Sequence, residues 1–422
     1  MDSIEIIGGE RLDGEVIISG AKNAALPIMA AALLARGVTV LHRIPRLRDI
    51  HTMLRIFNHL GVRGEFIDED TLEIDATTIS ACSAPYDLVR KMRASVLVLG
   101  PLLSRMGKVR VSIPGGCVIG PRPIDLHLKG LQGLSARVDI EHGYVNATGS
   151  PLVGGEIYLG GRYGSSVGAT INLILASATA RGTTTIIGAA CEPEVVDLSE
   201  FLNRMGAKVT GMGSPRITVE GVDELYPVEY TIIPDRIEAG TYMLAGALTG
   251  GLITLRGARP DHLDSLVEVL RDVGINISRE GELIMVQAVG DLQPVDIATL
   301  PYPGFPTDLQ AQMMALLSTI PGISVIIEKV YPERFMHVPE LNRLGARISL
   351  EGAAALIRGG HRLSGAPVMA SDLRASAALI LAGLVADGKT TVRRVYHLDR
   401  GYERMVEKLT ALGAKIKRVE ED

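Results

Sequence analysis

One cysteine stands in a stretch whose residue types would make it reactive. Cys117 lies in the run PGGCVIGPR, residues 114–122, with glycines on both sides and Arg122 five positions later. Glycine lets the main chain approach a ligand closely, and a nearby cation favours the thiolate form of a cysteine. Cys117 is therefore a candidate nucleophile or proton donor. The same stretch also fits a surface loop with an inert cysteine, and the rest of the chain must decide between the two.

The composition excludes several classes of protein. The 422 residues are 47% hydrophobic and 22% charged, and the net charge of −5 disfavours nucleic acid as a partner. Three cysteines without a CxxC pair indicate a reducing compartment. The N-terminus shows no export signal, and the apolar runs are too short to cross a bilayer. We therefore expect a cytoplasmic protein of two or three domains without a membrane partner.

Common cofactor and metal motifs are absent from the sequence. There is no GxxxxGK[ST] phosphate loop, no GxGxxG that opens a helix after a strand, and no HExxH. The nine histidines form no closely spaced Cys/His set, so we expect neither a cofactor nor a metal site. No histidine can be assigned to Cys117 from spacing, which disfavours a cysteine hydrolase.

One pattern of hydrophobicity occurs six times along the chain. An alanine-rich helical stretch ends at a glycine, and a β-rich segment follows at once. Each glycine is the expected C-cap of its helix, because glycine accepts left-handed geometry. The six stretches, whose terminal glycines are 66 to 75 residues apart, are Ala24–Gly37, Ala94–Gly107, Ala169–Gly182, Ala239–Gly251, Leu309–Gly322 and Ala375–Gly388.

A second marker repeats with the same period. It is a helix end, a small residue and then a strand, and its small residues are Gly61, Ser135, Gly206, Gly274, Gly345 and Gly413. Two markers with one period predict six βαβα units of about 70 residues, grouped as two domains of three. Residues 1–21 hold two further strand patterns that would complete the last units. We therefore expect one domain at 22–231 and a second at 1–21 plus 232–422.

Polar or charged residues precede each of the six apolar helices. The N-terminus of a buried helix presents free N–H groups and the positive end of its dipole, which is a ready anion site. Ordinary N-capping explains Asp308 and Ser166. It does not explain the cations Lys22, Arg93 and Arg374, because a cation opposes the dipole at that end. For these three residues we favour an anionic ligand.

These motifs together resemble one known family over essentially the whole chain. The sequence is similar to the UDP-N-acetylglucosamine 1-carboxyvinyltransferases, which are enolpyruvyl transferases. The segments that carry the resemblance are 19–27, 92–95, 114–117 with Gly120 and 122–123, 166–170, 234–238, 305–308, 334–338, 372–376 and 399–404.

The resemblance implies a fold and a reaction. The fold is α/β, with two inside-out α/β domains that each hold three repeats. The reaction joins the enolpyruvyl group of phosphoenolpyruvate to the 3′-hydroxyl of UDP-N-acetylglucosamine and releases phosphate. It is the first committed step of peptidoglycan synthesis, on which the cell wall, cell shape and cell division depend. The implied partners are these two small molecules, and no oligomeric state is predicted.

The resemblance also assigns roles to individual residues. Cys117 matches a proton donor that can also form a covalent pyruvate adduct, and Asp308 matches the proposed base. Lys22, Arg122 and Arg400 match the cations on phosphoenolpyruvate, while Asn23 and Arg93 match the junction of the two substrates. The matched sugar-nucleotide contacts are Arg122, Pro123, Ile124, Asp125, Leu126, Ser166, Val167, Gly168, Asp308 and Val330. Supporting positions are Asp372, Arg374 and Arg334.

Two features limit the resemblance, and two alternatives stay open. The loop at 160–165 is longer and richer in glycine than is usual in the family, and Cys82 and Cys191 match no catalytic position, so we interpret them as structural. The first alternative is the sister transferase that acts on shikimate 3-phosphate. The second is a non-catalytic paralogue that binds a sugar nucleotide, which would need no proton donor.

Overall fold

The chain, of which a computed structural model describes residues 2–114, 124–162 and 164–420, divides into two compact units. The inserted unit holds the described residues between 20 and 233, and the terminal unit holds 2–19 and 234–420. A separate cluster of buried apolar side chains forms the core of each unit. Residues 115–123, which include Cys117, lie outside the described residues.

The first part of the chain contributes two strands to the terminal unit and then builds the inserted unit. Its elements are β1 (Ser3–Ile7), β2 (Gly14–Ile17), α1 (Lys22–Ala32), β3 (Val38–His42), α2 (Arg48–Leu60), β4 (Arg63–Phe66), β5 (Leu72–Asp75), β6 (Ser83–Ala84), α3 (Tyr86–Val89), a 3-10 helix (Arg93–Val98), α4 (Leu99–Met106), β7 (Lys108–Ser112), α5 (Asp125–Gly133), β8 (Arg137–Glu141), β9 (Tyr144–Thr148), β10 (Glu156–Tyr158), α6 (Val167–Ser177), β11 (Thr183–Ile187), α7 (Pro193–Arg204), β12 (Lys208–Thr210), β13 (Arg216–Glu220) and β14 (Glu229–Thr231).

The remainder of the chain completes the terminal unit. Its elements are α8 (Arg236–Thr249), β15 (Leu252–Arg256), a 3-10 helix (Pro260–His262), α9 (Asp264–Val273), β16 (Ile275–Glu280), β17 (Leu283–Ala288), β18 (Ile297–Thr299), a 3-10 helix (Thr307–Leu309), α10 (Gln310–Thr319), β19 (Gly322–Glu328), α11 (Val338–Arg343), β20 (Ile348–Glu351), β21 (Ala354–Gly359), β22 (Pro367–Met369), α12 (Leu373–Val385), β23 (Lys389–Arg393), a 3-10 helix (Val395–Arg400), α13 (Met405–Ala411) and β24 (Lys415–Val419).

The strands of the described residues form six four-stranded sheets of one design. Each sheet has one parallel pair followed by two antiparallel pairings, as in the order β10-β11-β13-β12. Two N-terminal strands complete sheets of the terminal unit: β2 runs parallel to β15, and β1 lies antiparallel between β23 and β24. The predicted sixfold repeat of helix and strand is confirmed by this common topology.

The helices of the apolar repeat are buried, as their composition predicts. Most residues of α1, α6, α8, α10 and α12 are buried, and α6, α8, α10 and α12 each pack on strands of the sheets. A helix that is apolar on all sides can only be stable where it is covered on all sides. The second set of helices, such as α2 and α9, is amphipathic and lies at the surface.

The predicted helix caps are only partly correct. Gly107 is a left-handed C-cap, but α1 and α6 end five residues before their glycine, and α10 and α12 end three residues before theirs. After α8 the cap is Gly250, with φ of 71°, rather than the predicted Gly251. At Gly251 an added Cβ would lie 1.8 Å from the main-chain oxygen of Leu12, so that position needs glycine for close packing.

The second marker of the repeat corresponds to one backbone conformation. All six small residues have positive φ, between 64° at Ser135 and 104° at Gly206. Ser135 shows that the left-handed turn persists where the sequence lacks glycine. Within the described ranges, no helix is both long and apolar enough to cross a membrane.

Candidate active site

Asp308 is held by two arginines in the terminal unit. It lies in the 3-10 helix that leads into α10. Its Oδ1 accepts a hydrogen bond from Nη1 of Arg334 at 2.7 Å, and its Oδ2 accepts one from Nη2 of Arg374 at 2.9 Å. The two arginine side chains are buried, whereas the Asp308 side chain keeps 28% of its surface exposed. Part of the carboxylate therefore remains open to a ligand.

The two guanidinium groups fix the charge of Asp308. Burial alone would raise its pKa, but the charges of Arg374 and Arg334 outweigh burial and hold the pKa well below its usual range. Asp308 is therefore ionised at neutral pH. A carboxylate offers about four lone-pair positions, so two arginine bonds leave room for a hydrogen bond from a ligand hydroxyl.

Ordinary N-capping, expected for Asp308 from the sequence, is wrong at this position. The residue before the 3-10 helix is Pro306, which makes no side-chain cap, and both oxygens of Asp308 bind guanidinium groups instead. At Ser166 the expectation is confirmed, since its Oγ accepts a hydrogen bond from the N–H of Ala169 at 3.3 Å. A buried arginine needs a counterion, and Asp308 supplies it.

Asp372 caps the helix that carries Arg374. It is the N-cap of α12, and its Oδ1 accepts hydrogen bonds from the N–H groups of Arg374 and Ala375 at 2.9 and 3.1 Å. Nearby, burial lowers the pKa of His337 to about 4, an effect that the charge of Asp372 opposes only in part. His337 is therefore neutral near pH 7 and adds no positive charge to the cluster.

A polar network that sequence reasoning missed holds the main chain at Asp308. Nε2 of Gln312 donates to the carbonyl oxygen of Asp308 at 3.0 Å and to the hydroxyl of Tyr402 at 3.1 Å. The Tyr402 hydroxyl also bonds the hydroxyl of Thr241 at 2.8 Å, and its ring faces the guanidinium of Arg374 at 5.3 Å. No local pattern would reveal this network, because its members come from four separate parts of the chain.

Lys22 is paired with a carboxylate in the inserted unit. It is the first residue of α1, and its Nζ lies 3.3 Å from Oδ2 of Asp49, with both side chains buried. The sequence favours an anionic ligand for Lys22 and Arg374, yet Lys22 pairs with Asp49 and Arg374 pairs with Asp308. Asn23, next to Lys22, and Arg93, at the start of its 3-10 helix, are half-buried.

The predicted sugar-nucleotide segments meet where α5 packs on the start of α6. A Cβ at Gly168 would lie 3.1 Å from Nε2 of His127, and one at Gly161 would lie 2.9 Å from Cδ1 of Leu126. Asn172 fixes the ring of His127, since its Nδ2 lies 2.8 Å from Nδ1 of His127. His127 is buried, and sequence reasoning missed it although it directly follows the matched segment ending at Leu126.

The other predicted residues divide into three groups. Ile124 is buried, Asp125 is the exposed first residue of α5, and Val167 is half-buried at the start of α6. Val330 follows β19 and Arg400 ends a 3-10 helix, and both are half-buried. Cys117, Arg122 and Pro123 lie outside the described residues.

Cys191 lies in surroundings that disfavour a reactive thiolate, and the described residues form no metal-binding group. Cys82 and Cys191 are half-buried, and burial together with the charge of Glu192 raises the pKa of Cys191, which disfavours its thiolate. Among the residues with described positions, no group of three or more His, Cys, Asp or Glu side chains could hold a metal ion.

Comparison of the fold with solved structures identifies the class. The chain is similar to the enolpyruvyl transferase NikO from Streptomyces tendae, with a TM-score of 0.90, 28% identity, and coverage of 99% of this chain and 98% of that one. It also matches EPSP synthase from Acinetobacter baumannii in fold, with a TM-score of 0.77 at 18% identity over the full length of both chains. A family model described as EPSP synthase (3-phosphoshikimate 1-carboxyvinyltransferase) matches residues 6–409. The fold is that of the enolpyruvyl transferases, as predicted.

Sequence relatives narrow the class further. The chain is 54% identical to a UDP-N-acetylglucosamine 1-carboxyvinyltransferase from Desulfosudis oleivorans, over 99% of this chain and all of the relative. It is 53% identical to the enzyme of that name from Gluconacetobacter diazotrophicus, over the full length of both. The chain belongs to the UDP-N-acetylglucosamine 1-carboxyvinyltransferase family, which confirms the resemblance inferred from the motifs.

Proposed function

We propose that this protein transfers the enolpyruvyl group of phosphoenolpyruvate to the 3′-hydroxyl of UDP-N-acetylglucosamine and releases phosphate. The observation that carries the proposal is identity above one half, over the full length, with relatives that bear the name of this activity. The ionised, partly exposed Asp308 fits a reaction that must take a proton from a sugar hydroxyl.

The chemistry requires a proton donor, a base and positive charge. The sugar oxygen forms a bond to C2 of phosphoenolpyruvate while C3 gains a proton, which gives a tetrahedral intermediate. Loss of phosphate from C2 and of a proton from C3 then restores the double bond. We assign the C3 proton to Cys117. We assign the binding of the negatively charged phosphoenolpyruvate to Lys22, Arg122 and Arg400. These cations would stabilise the negative charge that moves to the leaving phosphate.

Asp308 is proposed as the base for the 3′-hydroxyl. With two arginines on it, the carboxylate is a weak base towards a resting hydroxyl. It becomes effective when the hydroxyl oxygen forms its bond to carbon, because the acidity of that proton then rises steeply. The arginines keep Asp308 ionised and aimed, so each turnover begins with the base in its reactive state.

For the sugar nucleotide we propose a site around the start of α6. Ser166, Val167 and Gly168 stand where the first N–H groups of a buried helix favour an anion such as a diphosphate. Leu126 and His127 of α5 pack against this region. In the terminal unit, Val330 and Asp308 are the proposed contacts to the sugar. Asn23 and Arg93 are proposed to contact both substrates.

Two alternatives predict different behaviour. A shikimate 3-phosphate transferase would share the phosphoenolpyruvate chemistry, but the relatives above half identity bear the other name. A non-catalytic sugar-nucleotide binder would need no proton donor and would leave phosphoenolpyruvate unchanged. We place the reaction in the cytoplasm, at the first committed step of peptidoglycan synthesis.

Product formation by an Asp308 variant tests this proposal. Wild-type protein incubated with both substrates is expected to give the enolpyruvyl ether of UDP-N-acetylglucosamine, detected by mass spectrometry. Asp308→Asn should lower the rate by about 100-fold or more, as expected for loss of a general base, while UDP-N-acetylglucosamine still binds by calorimetry. Asp291→Asn, at an exposed aspartate of the same unit, is the control. Wild-type turnover matched by Asp308→Asn would remove Asp308 from the mechanism.

A further inference from the structure

Glu328 is a buried carboxylate beside the candidate active site, linked through Thr307 to Arg334. It is the last residue of β19 and is fully buried. Its Oε1 accepts hydrogen bonds from the N–H groups of Val330 and Tyr331, both at 2.9 Å, and from the hydroxyl of Thr299 at 2.7 Å. Its Oε2 accepts one from the hydroxyl of Thr307 at 2.9 Å. Four neutral donors thus surround one buried carboxylate.

One side of this carboxylate shapes the turn at residue 330. A carboxylate oxygen that accepts two successive main-chain N–H groups fixes the direction of the chain there. Thr299, opposite Glu328 in the parallel pairing of β18 with β19, adds the third bond to the same oxygen. Val330, the proposed sugar contact, is therefore positioned by Oε1.

The other side leads to Asp308. Because the Thr307 hydroxyl donates its proton to Oε2, its lone pairs are left to accept, and Nη1 of Arg334 donates to it at 3.0 Å. The same Nη1 donates to Oδ1 of Asp308 at 2.7 Å. Glu328, Thr307, Arg334 and Asp308 thus form one hydrogen-bonded chain in which the direction of each donor is set by the previous member.

We propose that Glu328 is a positioning residue that joins the sugar-binding turn to the base of the reaction. The inference deepens the proposed function and rests on it. Through Oε1 the carboxylate holds the turn at Val330, and through Oε2 and Thr307 it sets the orientation of Arg334 and hence of Asp308. Glu328 itself need not touch substrate.

The carboxylate of Glu328 has two arms: the bonds of Oε1 to the turn at residue 330, and the bond of Oε2 to Thr307. Glutamine at this position keeps the first arm and changes the second. The amide oxygen of Glu328→Gln will take the place of Oε1, where three donors converge, so the NH2 group must face Thr307. A donor now meets the Thr307 hydroxyl, whose own proton loses its acceptor. The turn is kept, whereas the bond between Thr307 and position 328 changes direction, and the Thr307 hydroxyl must turn its proton elsewhere while it accepts the bond from Arg334.

The expected result is a split between kinetic constants. Glu328→Gln should lower kcat by about 10- to 100-fold, the range expected when a catalytic group is misplaced, with KM for UDP-N-acetylglucosamine changed less than about threefold. Thr307→Val removes the hydroxyl that joins Oε2 of Glu328 to Arg334, and should lower kcat by a similar factor. Because both changes break one chain, the double variant should be no slower than the slower single variant.

The comparison variant is Thr299→Val, which removes a donor from Oε1 and the acceptor of the Lys329 N–H without touching the bond from Thr307 to Oε2. It should lower thermal stability and raise KM for UDP-N-acetylglucosamine through the turn at residue 330, with kcat within about threefold of wild type. Additive losses in the double variant, or an equal loss in Thr299→Val, would show that Glu328 only stabilises the strand end, and would overturn the proposal.

Crystal structures of wild type and Glu328→Gln give a readout that does not depend on turnover. The proposal expects the main chain at 330–331 to superpose and the bond from Arg334 to Thr307 to be lost or lengthened. An unchanged Thr307–Arg334–Asp308 arrangement would refute it. A wild type without turnover would refute the proposed function instead, and the crystallographic comparison would still decide the role of Glu328.

Discussion

Replacing Asp197 with asparagine should change how the stability of the inserted unit depends on pH. Asp197 lies on α7 and is 2% exposed. One of its oxygens accepts a hydrogen bond from the hydroxyl of Tyr230 at 2.7 Å, and the other accepts one from the N–H of Ile233 at 3.3 Å. Burial raises the pKa of Asp197 from 3.8 to about 6, and the charges of Glu200 and Glu194 act in the same direction.

The sign and size of the effect follow from this shift. Between pH 3.8 and about 6 the folded protein holds a proton on Asp197 that the unfolded chain has lost, so the free energy of unfolding falls as pH rises through this window. With these two pKa values the total loss is about 3 kcal/mol, and a little under half of it falls between pH 5.0 and 7.5. For a unit of about 200 residues that corresponds to roughly 3–6 °C in Tm.

Thermal unfolding of wild type and Asp197→Asn at pH 5.0 and 7.5 measures this difference. Asparagine has no charge to bury. The Tm of the variant minus the Tm of the wild type should therefore be roughly 3–6 °C larger at pH 7.5 than at pH 5.0, whatever the absolute Tm of the variant. Asp223→Asn, at an exposed aspartate of the same unit, should track the wild type. A pH dependence shared by all three proteins would refute the argument that burial of Asp197 carries the effect.

Three further changes test other parts of the structure. Gly251→Ala puts a Cβ 1.8 Å from the main-chain oxygen of Leu12 and should destabilise the terminal unit by at least about 3 kcal/mol in chemical denaturation. Gly250→Ala has open space for the Cβ but a φ of 71°, and should cost about 1–2 kcal/mol. Equal losses would contradict the packing argument. As the pH falls from about 6.5 to 4, the unfolded chain binds a proton at His337 and the folded protein does not, so the protein loses stability. His337→Asn should make this loss smaller, measured as Tm against pH. The same fall in Tm in the variant and the wild type would contradict it. Ser166→Ala should cost about 1 kcal/mol of stability through loss of the α6 cap and should also raise KM for UDP-N-acetylglucosamine; an unchanged KM would leave Ser166 a cap alone.

The fold could be predicted from the sequence because the same pattern of an apolar helix, a glycine and a strand occurs six times. A lone glycine after an apolar stretch is weak evidence, but six copies at one period identify the strands that follow them, and β3, β11, β15 and β23 begin at their predicted residues. The helix ends were less predictable. Glycine at 251 marks a close approach to Leu12 rather than a cap, and local sequence does not distinguish these two needs for glycine.

The chemistry of the site was less accessible to sequence reasoning. The polar start of α10 suggested a cap at Asp308, whereas its partners Arg334 and Arg374 are 26 and 66 residues away along the chain. The pairing of Lys22 with Asp49 and the network of Gln312 and Tyr402 are likewise products of tertiary packing. The resemblance named several of these residues, but only the coordinates show what holds them.

Phosphate release from phosphoenolpyruvate, measured with each acceptor in turn, shows which substrate receives the enolpyruvyl group. We expect rapid release with UDP-N-acetylglucosamine, and a rate at least about 100-fold lower with shikimate 3-phosphate or with no acceptor. Release that prefers shikimate 3-phosphate would contradict the assigned substrate. No release with either acceptor, from folded protein that binds UDP-N-acetylglucosamine, would contradict the assignment of an enzyme and leave a sugar-nucleotide binder.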